Sequence, residues 1–524
     1  MAAIIVDVEE LVELSDVPKE EIEDVLTKIG IPVESAQEGK LELEITPNRP
    51  DLLSVEGLAR ACRAYKFSSH PEYKANNKEI NIIVQKNLEN IRPYIGGAYI
   101  EGLEINEKFF ESLIQLQEKL HNTIGRKRKK IAVGIHDIKN AKAPFRYFAA
   151  NFDEVKFKPL GFDQEMDLQQ ILKEHPKGIE YSHLIKEKCP ILADSEGNVL
   201  SFPPIINGEF SKLKIGSRKI FIDCTGTDQA TIKTALNILA CAFADRGGKV
   251  YQIKVNSKTY ELFKPKQIKF NAEFTNKVLG IKLSKHQQAK LLVKFGHKIK
   301  GSFVFVPPYR ADVFGQIDLV EDIAIAYGYN NFKPKRPEFY SEPFIENRFE
   351  YLAELLVGLG FFEVSSWILT NQNTLKKAAL LDAIKVSNPL TEEFSTLRPV
   401  LYPNILEIFA KSKSAKMPQK IFEIGPVIEP KTLKQKTHCC FALTQPKVNF
   451  NQIHSYLKGL LKELEVEYKL KERDYAIFIS GRSATIISKE KELGLIGEVH
   501  PQILENFSIE HPVALVEIDL ENLN

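Results

Sequence analysis

Hydrophobic residues along this 524-residue chain recur in some stretches at every second position and in others at every third or fourth, and the two rhythms keep exchanging places. A period of two marks a half-buried strand, and a period near 3.6 marks an amphipathic helix. An irregular mixture of both predicts a multi-domain α+β protein. At roughly 100–200 residues per domain, the length predicts about three to five domains. Residues 66–78 are polar and unpatterned, and residues 336–345 carry Pro337 and Pro343, so both stretches read as linkers. The resulting segments are 1–78, 79–257, 258–335 and 336–524.

In the first segment Ser15 is placed to cap a helix, with Pro18 in its first turn and Gly30 at its end. Leu41–Ile45 alternates as a strand, Pro47–Asp51 turns, and Ser54 opens a helix with Val55, Leu58, Ala59 and Cys62 as its stripe. In the second, strands are predicted at Ile80–Ile83, Gly97–Leu103, Ile131–Ile135, Val199–Phe202 and Lys219–Cys224, with helices near 107–121 and 227–244. In the third, Ser284 and Gln287 form a capping box. A hairpin of Lys298–Lys300 and Phe303–Val306 follows, then a helix over Gln316–Tyr327. The last opens with a helix near 347–358. Strands at 362–369, 421–428, 438–443, 476–480, 484–487, 493–499 and 512–518 suggest an antiparallel sheet.

Composition narrows the class. No run of 18 or more apolar residues occurs, so no membrane contact is expected. The acidic start MAAIIVDVEELVELSD lacks the early positive charge of a secretory signal and the arginines of a presequence, which predicts a cytoplasmic protein. The six cysteines show no CxxC spacing and read as free thiols in a reducing compartment. Net charge is +2, so the chain as a whole is not a basic nucleic-acid binder. Residues 264–300 nevertheless hold ten Lys against one Glu, and Arg126–Lys130 is a second basic cluster. Each is either a phosphate contact or a solvated face. Lys285, Lys290 and Lys294 on the helix before the hairpin suit a winged-helix-like module equally well as a solvated amphipathic helix.

The most specific run is Pro307-Pro308-Tyr309-Arg310-Ala311-Asp312 followed by the helix Gln316–Tyr327. Asp318, Glu321 and Asp322 stand at i, i+3 and i+4 and share a helical face, and Asp312 lies just before it, within reach of the first turn. Carboxylates so close repel unless a cation or arginines compensate. An all-oxygen set suits Mg²⁺, while solvated acids near a helix N-terminus suit the same spacing.

This run resembles the PPYRAD…DL-x-ED-x-AIAYGY signature of phenylalanine–tRNA ligase β subunits of the archaeal/eukaryotic type. Thr46-Pro47-Asn48-Arg49-Pro50-Asp51 through Arg60 resembles the same family's N-terminal motif. Val386–Pro399, Phe422–Gly425 and Gly494–Pro501 resemble its C-terminal region. The resemblance spans nearly the whole chain. It implies the shorter archaeal/eukaryotic type, without the extra tRNA-binding domains expected of bacterial β subunits.

The resemblance implies that 258–335 is a small, winged-helix-like helix–hairpin domain whose Asp312, Asp318, Glu321 and Asp322 bind Mg²⁺. It implies that 336–524 is a class II synthetase-like antiparallel core without an active site. Arg398 is followed by Pro399 rather than closely by Glu, and no Gly-rich segment bearing Arg occurs near the C-terminus. It further implies an α₂β₂ tetramer with an α subunit that binds ATP and phenylalanine, and tRNA(Phe) as substrate.

Residues 79–257 resemble the family's editing domain, which hydrolyses mischarged tyrosyl-tRNA. Tyrosine is phenylalanine plus one hydroxyl, and an apolar pocket discriminates against such an addition only about 100-fold. The matching positions are Leu192 to line an aromatic pocket, Ser201 and Thr225 to orient water or ester, and Asp223 to bind the water or the tyrosyl hydroxyl. Without the resemblance, Ser201 and Asp223 read as strand-end residues, Leu192 as core and His136 as a satisfied strand residue. The other functions weighed are a stand-alone hydrolase clearing mischarged tRNA and a non-enzymatic tRNA-binding protein. The first leaves 336–524 without a purpose and the second leaves the PPYRAD acids unexplained.

Overall fold

The computed structural model describes residues 2–336 and 349–523. All but Arg336 of the linker expected at 336–345 lies outside the described residues. The chain divides into two compact units, Met1–Arg336 and Pro337–Asn524.

The first unit holds three main sheets. The N-terminal one is antiparallel, with Lys40–Ile45 between Ala2–Asp7 and Val33–Gln37. Its first strand and first helix, Val8–Ser15, had no counterpart in the sequence reading. Asp7 caps that helix by accepting from the Glu10 N–H at 2.9 Å. Ser15 is therefore the last helical residue rather than a cap. Asp16, at φ 58°, stops the helix, and Pro18 precedes the next, Lys19–Lys28. Ser54 does cap Val55–Phe67, accepting from the Gly57 N–H at 3.2 Å.

The middle sheet has ten strands. Its order runs Ile206–Asn207, Val199–Phe202, Cys189–Ala193, Phe145–Ala150, Asn76–Val84, Lys249–Val255, Tyr94–Glu101, Ile220–Gly226, Ile131–Asp137, with Lys258–Thr259 paired beside Lys249–Val255. The helices Glu107–Asn122 and Gln229–Asp245 contribute Phe109, Leu113, Leu236 and Phe243 to its core. The third sheet joins Lys266–Lys269 to the expected hairpin, whose strands are Lys298–Lys300 and Phe303–Val306. The capping box at Ser284 and Gln287 is formed.

Buried charges tie these three sheets together. Arg60, on the Val55–Phe67 helix, donates to Asp245 at 2.6 Å and to the Tyr73 hydroxyl at 3.1 Å, and its guanidinium lies 4.1 Å over the Tyr309 ring. Arg246 pairs with Glu56 at 2.7 Å and also with Glu10. Burial pushes the Asp245 carboxyl up, and the Arg60 charge opposes that.

The second unit is a seven-stranded sheet in the order Phe362–Glu363, Gln419–Ile428, Gln435–Thr444, Val513–Asp519, Lys491–Val499, Phe478–Ser488, Lys469–Glu472. All pairs but the first are antiparallel. Cys439, Phe441 and Leu443 face one core with the helix Phe450–Glu463, while Cys440 and Ala442 face another with Tyr402–Lys411, so both faces are covered. The strands expected at 476–480 and 484–487 are a single irregular strand. The one expected at 362–369 is two short ones, Phe362–Glu363 and Leu369–Thr370. Among the described residues no helix is long and apolar enough to cross a membrane, and the six cysteines are free and buried.

Arg60→Ala leaves Asp245 buried without its cation. Denaturant unfolding should show a loss of about 3–5 kcal/mol. Adding Asp245→Ala should recover part of that loss, because the orphaned charge is then removed.

Candidate functional site

The Ile131–Asp137 and Ile206–Asn207 strands end the middle sheet's path, yet Ala132, Val133, Gly134, Ile135, Ile206 and Asn207 all line one cavity of about 340 Å³. The sheet therefore curls around it. Phe110, Ile114, Pro203, Pro204 and Leu213 make much of the wall apolar.

Two of the four sequence-selected residues, Ser201 and Asp223, line this cavity. The Ser201 hydroxyl is buried and has no hydrogen-bond partner among the described residues. A buried hydroxyl left unpaired costs roughly 1–3 kcal/mol, which a ligand or water removes. Asp223 Oδ2 is 2.7 Å from His136 Nε2. The other two are not brought to the wall. Leu192 packs behind it with Phe145, Tyr147 and Phe221. Thr225 is held by Arg92, whose Nε donates to its hydroxyl at 2.9 Å.

The structure adds residues the sequence reading did not single out. His121 lines the cavity, and its Nε2 accepts the Val133 N–H at 2.8 Å. The neutral ring then carries its proton on Nδ1, which is buried without a hydrogen-bond partner. Burial lowers the His121 pKa, so the ring stays neutral. The His121 ring, with Arg128 behind it, holds Glu118 down at about 2. His136 was read as a satisfied strand residue, and nothing in its local sequence reveals its partner 87 residues away. Pairing of its strand with Ile220–Gly226 makes that contact.

The basic cluster Arg126–Lys130 is split by its backbone. Arg126, Lys127 and Arg128 have φ of 48°, 53° and 63°, three consecutive left-handed residues without a glycine. Each such residue costs about 1–2 kcal/mol. The turn drives Arg128 into the cavity wall, where it donates to Pro204 O at 3.2 Å, Ile205 O at 2.8 Å and Glu118 at 2.8 Å. Lys130 pairs with Asp228 at 2.5 Å. Arg126, Lys127 and Lys129 are exposed.

The PPYRAD acids are dispersed rather than gathered. Arg310 binds Asp312 through two bonds of 2.9 and 2.7 Å and also donates to Asp322 at 2.9 Å. His297 is 2.6 Å from the same Asp322 oxygen. Asp312 thus turns to Arg310 rather than to the helix. Asp318 serves the first turn instead, accepting from the N–H groups of Phe314 at 2.7 Å and Gly315 at 2.8 Å. Glu321 is exposed. Among the described residues no group of three or more His, Cys, Asp or Glu side chains is placed to share one metal ion. The four acids do not form a cage within this chain, because a guanidinium and an imidazole compensate two of them.

In the second unit a cleft of about 660 Å³ is lined by cations that already have acidic partners. Lys436 meets Asp519 at 3.0 Å, His438 meets Glu517 at 2.7 Å and Arg473 meets Glu492 at 2.8 Å. Arg398 is buried against Glu423 at 2.7 Å.

Comparison with known proteins follows this layout. Residues 340–520 match the family described as phenylalanyl tRNA synthetase beta chain CLM domain, and residues 268–329 match the tRNA synthetase B5 domain. A curated relative from Methanococcus maripaludis (strain C5) is 39% identical, covering 98% of this chain and 99% of its own. One from Methanocaldococcus jannaschii is 38% identical over 99% of this chain and 100% of its own. One from Archaeoglobus fulgidus is 37% identical over 98% and 97%. Each is named phenylalanine–tRNA ligase beta subunit. The crystal structure of an N-terminal fragment of the phenylalanyl-tRNA synthetase beta subunit from Pyrococcus horikoshii matches with a TM-score of 0.59 and 35% identity. That match covers 63% of this chain and 100% of the fragment.

Burial works to raise the Asp322 carboxyl, but the Arg310 charge and the His297 bond hold it well below the ordinary carboxylate range. A depressed acid contributes stability above its unfolded pKa and loses it as pH falls through its folded value. Asp322→Asn should cost about 3–5 kcal/mol at pH 7 in denaturant unfolding. That deficit should persist down to about pH 4 and close only in stronger acid.

Proposed function

The chain belongs to the β-subunit family of phenylalanine–tRNA ligases, in its archaeal form, and on that premise we propose that it works with an α subunit to attach phenylalanine to tRNA(Phe) and that residues 79–257 hydrolyse tyrosyl-tRNA formed in error. The observation that carries the reading is relatedness at 39% identity over 98% of the chain to a protein of that name. ATP and phenylalanine bind the α subunit, the assembly is α₂β₂, and its place is the cytoplasm. The second unit is a class II synthetase-like core without adenylate chemistry. In support, Lys436, His438 and Arg473 each meet a carboxylate in its cleft. Phe362, Trp367, Leu381 and Leu390 are exposed on this unit, a surface suited to the α subunit.

The proofreading reading rests on the cavity. An apolar wall accepts an aromatic ring, and Ser201, Asp223 and the His121 Nδ1–H offer the polar contacts a phenylalanine pocket has no use for. Leu192 and Thr225 act from behind the wall, one through packing and one through Arg92. In the hydrolysis, water attacks the ester carbonyl carbon and gives one proton to the Asp223 carboxylate. The ester C–O bond breaks, and that proton passes to the departing ribose oxygen, which leaves tyrosine and tRNA.

Magnesium enters in a narrower form. With Asp312 and Asp322 held by Arg310, the carboxylates left for a cation are Asp318 and Glu321. Mg²⁺ bound through one or two carboxylates takes its other ligands from water, phosphates or a second chain. No step is assigned to it.

Co-expressed with the α subunit of its own organism, the chain should form phenylalanyl-tRNA, while alone it should form no aminoacyl-adenylate. The complex should hydrolyse tyrosyl-tRNA, and Ser201→Ala should slow that step about 10-fold or more without slowing phenylalanine attachment. Failure to associate with any α chain, together with hydrolysis by the isolated chain, would favour a stand-alone hydrolase.

A further inference from the structure

The cavity wall has a second layer. His136 is fully buried and does not line the cavity, yet its Nε2 lies 2.7 Å from Asp223 Oδ2. Its other nitrogen, Nδ1, is 2.8 Å from the Ser211 hydroxyl. That hydroxyl also donates to Leu200 O at 3.2 Å. The ring is thus held at both nitrogens, by Ser211 at one edge and by Asp223 at the other, where Nε2–H donates to the carboxylate. No other hydrogen bond reaches the Asp223 side chain from the described residues.

The sheet register makes the arrangement possible. Asp223 pairs with Gly134, and His136 stands two residues farther along the same strand, on the same face. A methyl group at Gly134 would collide with both the Asp223 carboxylate and the His136 ring, so the glycine clears the space in which the two meet. The imidazole is wedged further by stacking on Phe221, with ring centroids 6.2 Å apart.

We propose that His136 is a positioning residue for the proofreading step, fixing the orientation of the Asp223 carboxylate at the cavity wall, with Ser211 bracing the other edge of the ring. The inference rests on the reading of this cavity as a tyrosyl-tRNA hydrolysis site. A carboxylate with no other side-chain partner can turn about its χ angles, and the bond from His136 engages Oδ2 and so aims the other oxygen away from the ring.

The other groups around Asp223 hold one state near neutral pH. Burial pushes Tyr147 and Cys224 up. Arg92, two residues along at Thr225, stays charged. Across the cavity His121 is kept neutral by burial and Glu118 sits at about 2. Arg128, Lys177 and Lys212 complete the charged wall and rim.

The test is the steady-state kinetics of tyrosyl-tRNA hydrolysis by the α/β complex for wild type, His136→Phe and His136→Gln. His136→Phe should lower kcat about 10- to 100-fold with KM within a few-fold of wild type. His136→Gln keeps an amide donor in the Nε2 position and should restore kcat to within a few-fold of wild type. Phenylalanine attachment serves as a folding control and should be unchanged in both variants. A loss confined to KM, or equal behaviour of Phe and Gln, overturns the positioning role while the site assignment stands. No hydrolysis by the wild-type complex overturns the assignment and the inference together.

Discussion

The first unit depends on charges buried where its segments meet. Arg60 carries the largest share. It comes from the N-terminal helix, pairs with Asp245 at the end of the middle segment's long helix, and stacks on Tyr309 of the PPYRAD run. Taking such charges out of water is tolerable only when each finds its counter-charge in a fixed place. A pair like this adds little net stability relative to apolar packing, but it penalises every arrangement that separates the partners. Arg246 between Glu56 and Glu10 repeats the device at a further contact, and Arg310 between Asp312 and Asp322 repeats it within the third segment. The TPNRPD and PPYRAD runs, which look like functional motifs in the sequence, are to a large degree the parts from which this joint is made.

That joint explains why the acidic helix misleads when read alone. Spacing puts Asp318, Glu321 and Asp322 on one side of a helix, and this is correct. Spacing says nothing about Arg310 and His297, which come from outside the helix and reach Asp322 first. Several elements were legible to the residue: the strands Val199–Phe202 and Phe303–Val306 and the helix Gln316–Tyr327. Cys189–Ala193 escaped because every residue in it is buried, so no polar position marks its period. Phe145–Ala150 and Lys249–Val255 escaped as well. Ser15 was misread because Ala2–Asp7 and Val8–Ser15 are short, and the helix they lead into stops at Asp16 rather than starting there.

The cavity was legible only in part, for a related reason. Ser201 and Asp223 were reached through the resemblance to the editing domain; their own sequence context reads as strand ends. His121 and His136 had no such pointer, and their meaning lies in pairings between distant strands and in one hydrogen bond from the Val133 backbone. Leu192 and Thr225 illustrate the opposite case. Both are near the right atoms in sequence, and the fold turns one toward a hydrophobic cluster and gives the other to Arg92.

On the proposed proofreading reading, discrimination by one hydroxyl needs a strong polar group held at a fixed angle inside an apolar wall. Placing the group on a loop would let it turn to solvent and lose its aim. Here Asp223 sits in the interior of a strand bonded on both sides, to Tyr94–Glu101 and Ile131–Asp137. The backbone therefore cannot relax to rehydrate it. What the backbone denies, the neighbouring strand supplies. Gly134 gives the space, His136 gives the donor, and Ser211 braces the other edge of the ring. On the other side of the cavity the three left-handed residues at Arg126–Arg128 are held in place by the carbonyls and the Glu118 carboxylate that Arg128 reaches. Strain on one wall and an enforced hydrogen bond on the other serve the same end: polar atoms fixed in an apolar cavity before any ligand arrives.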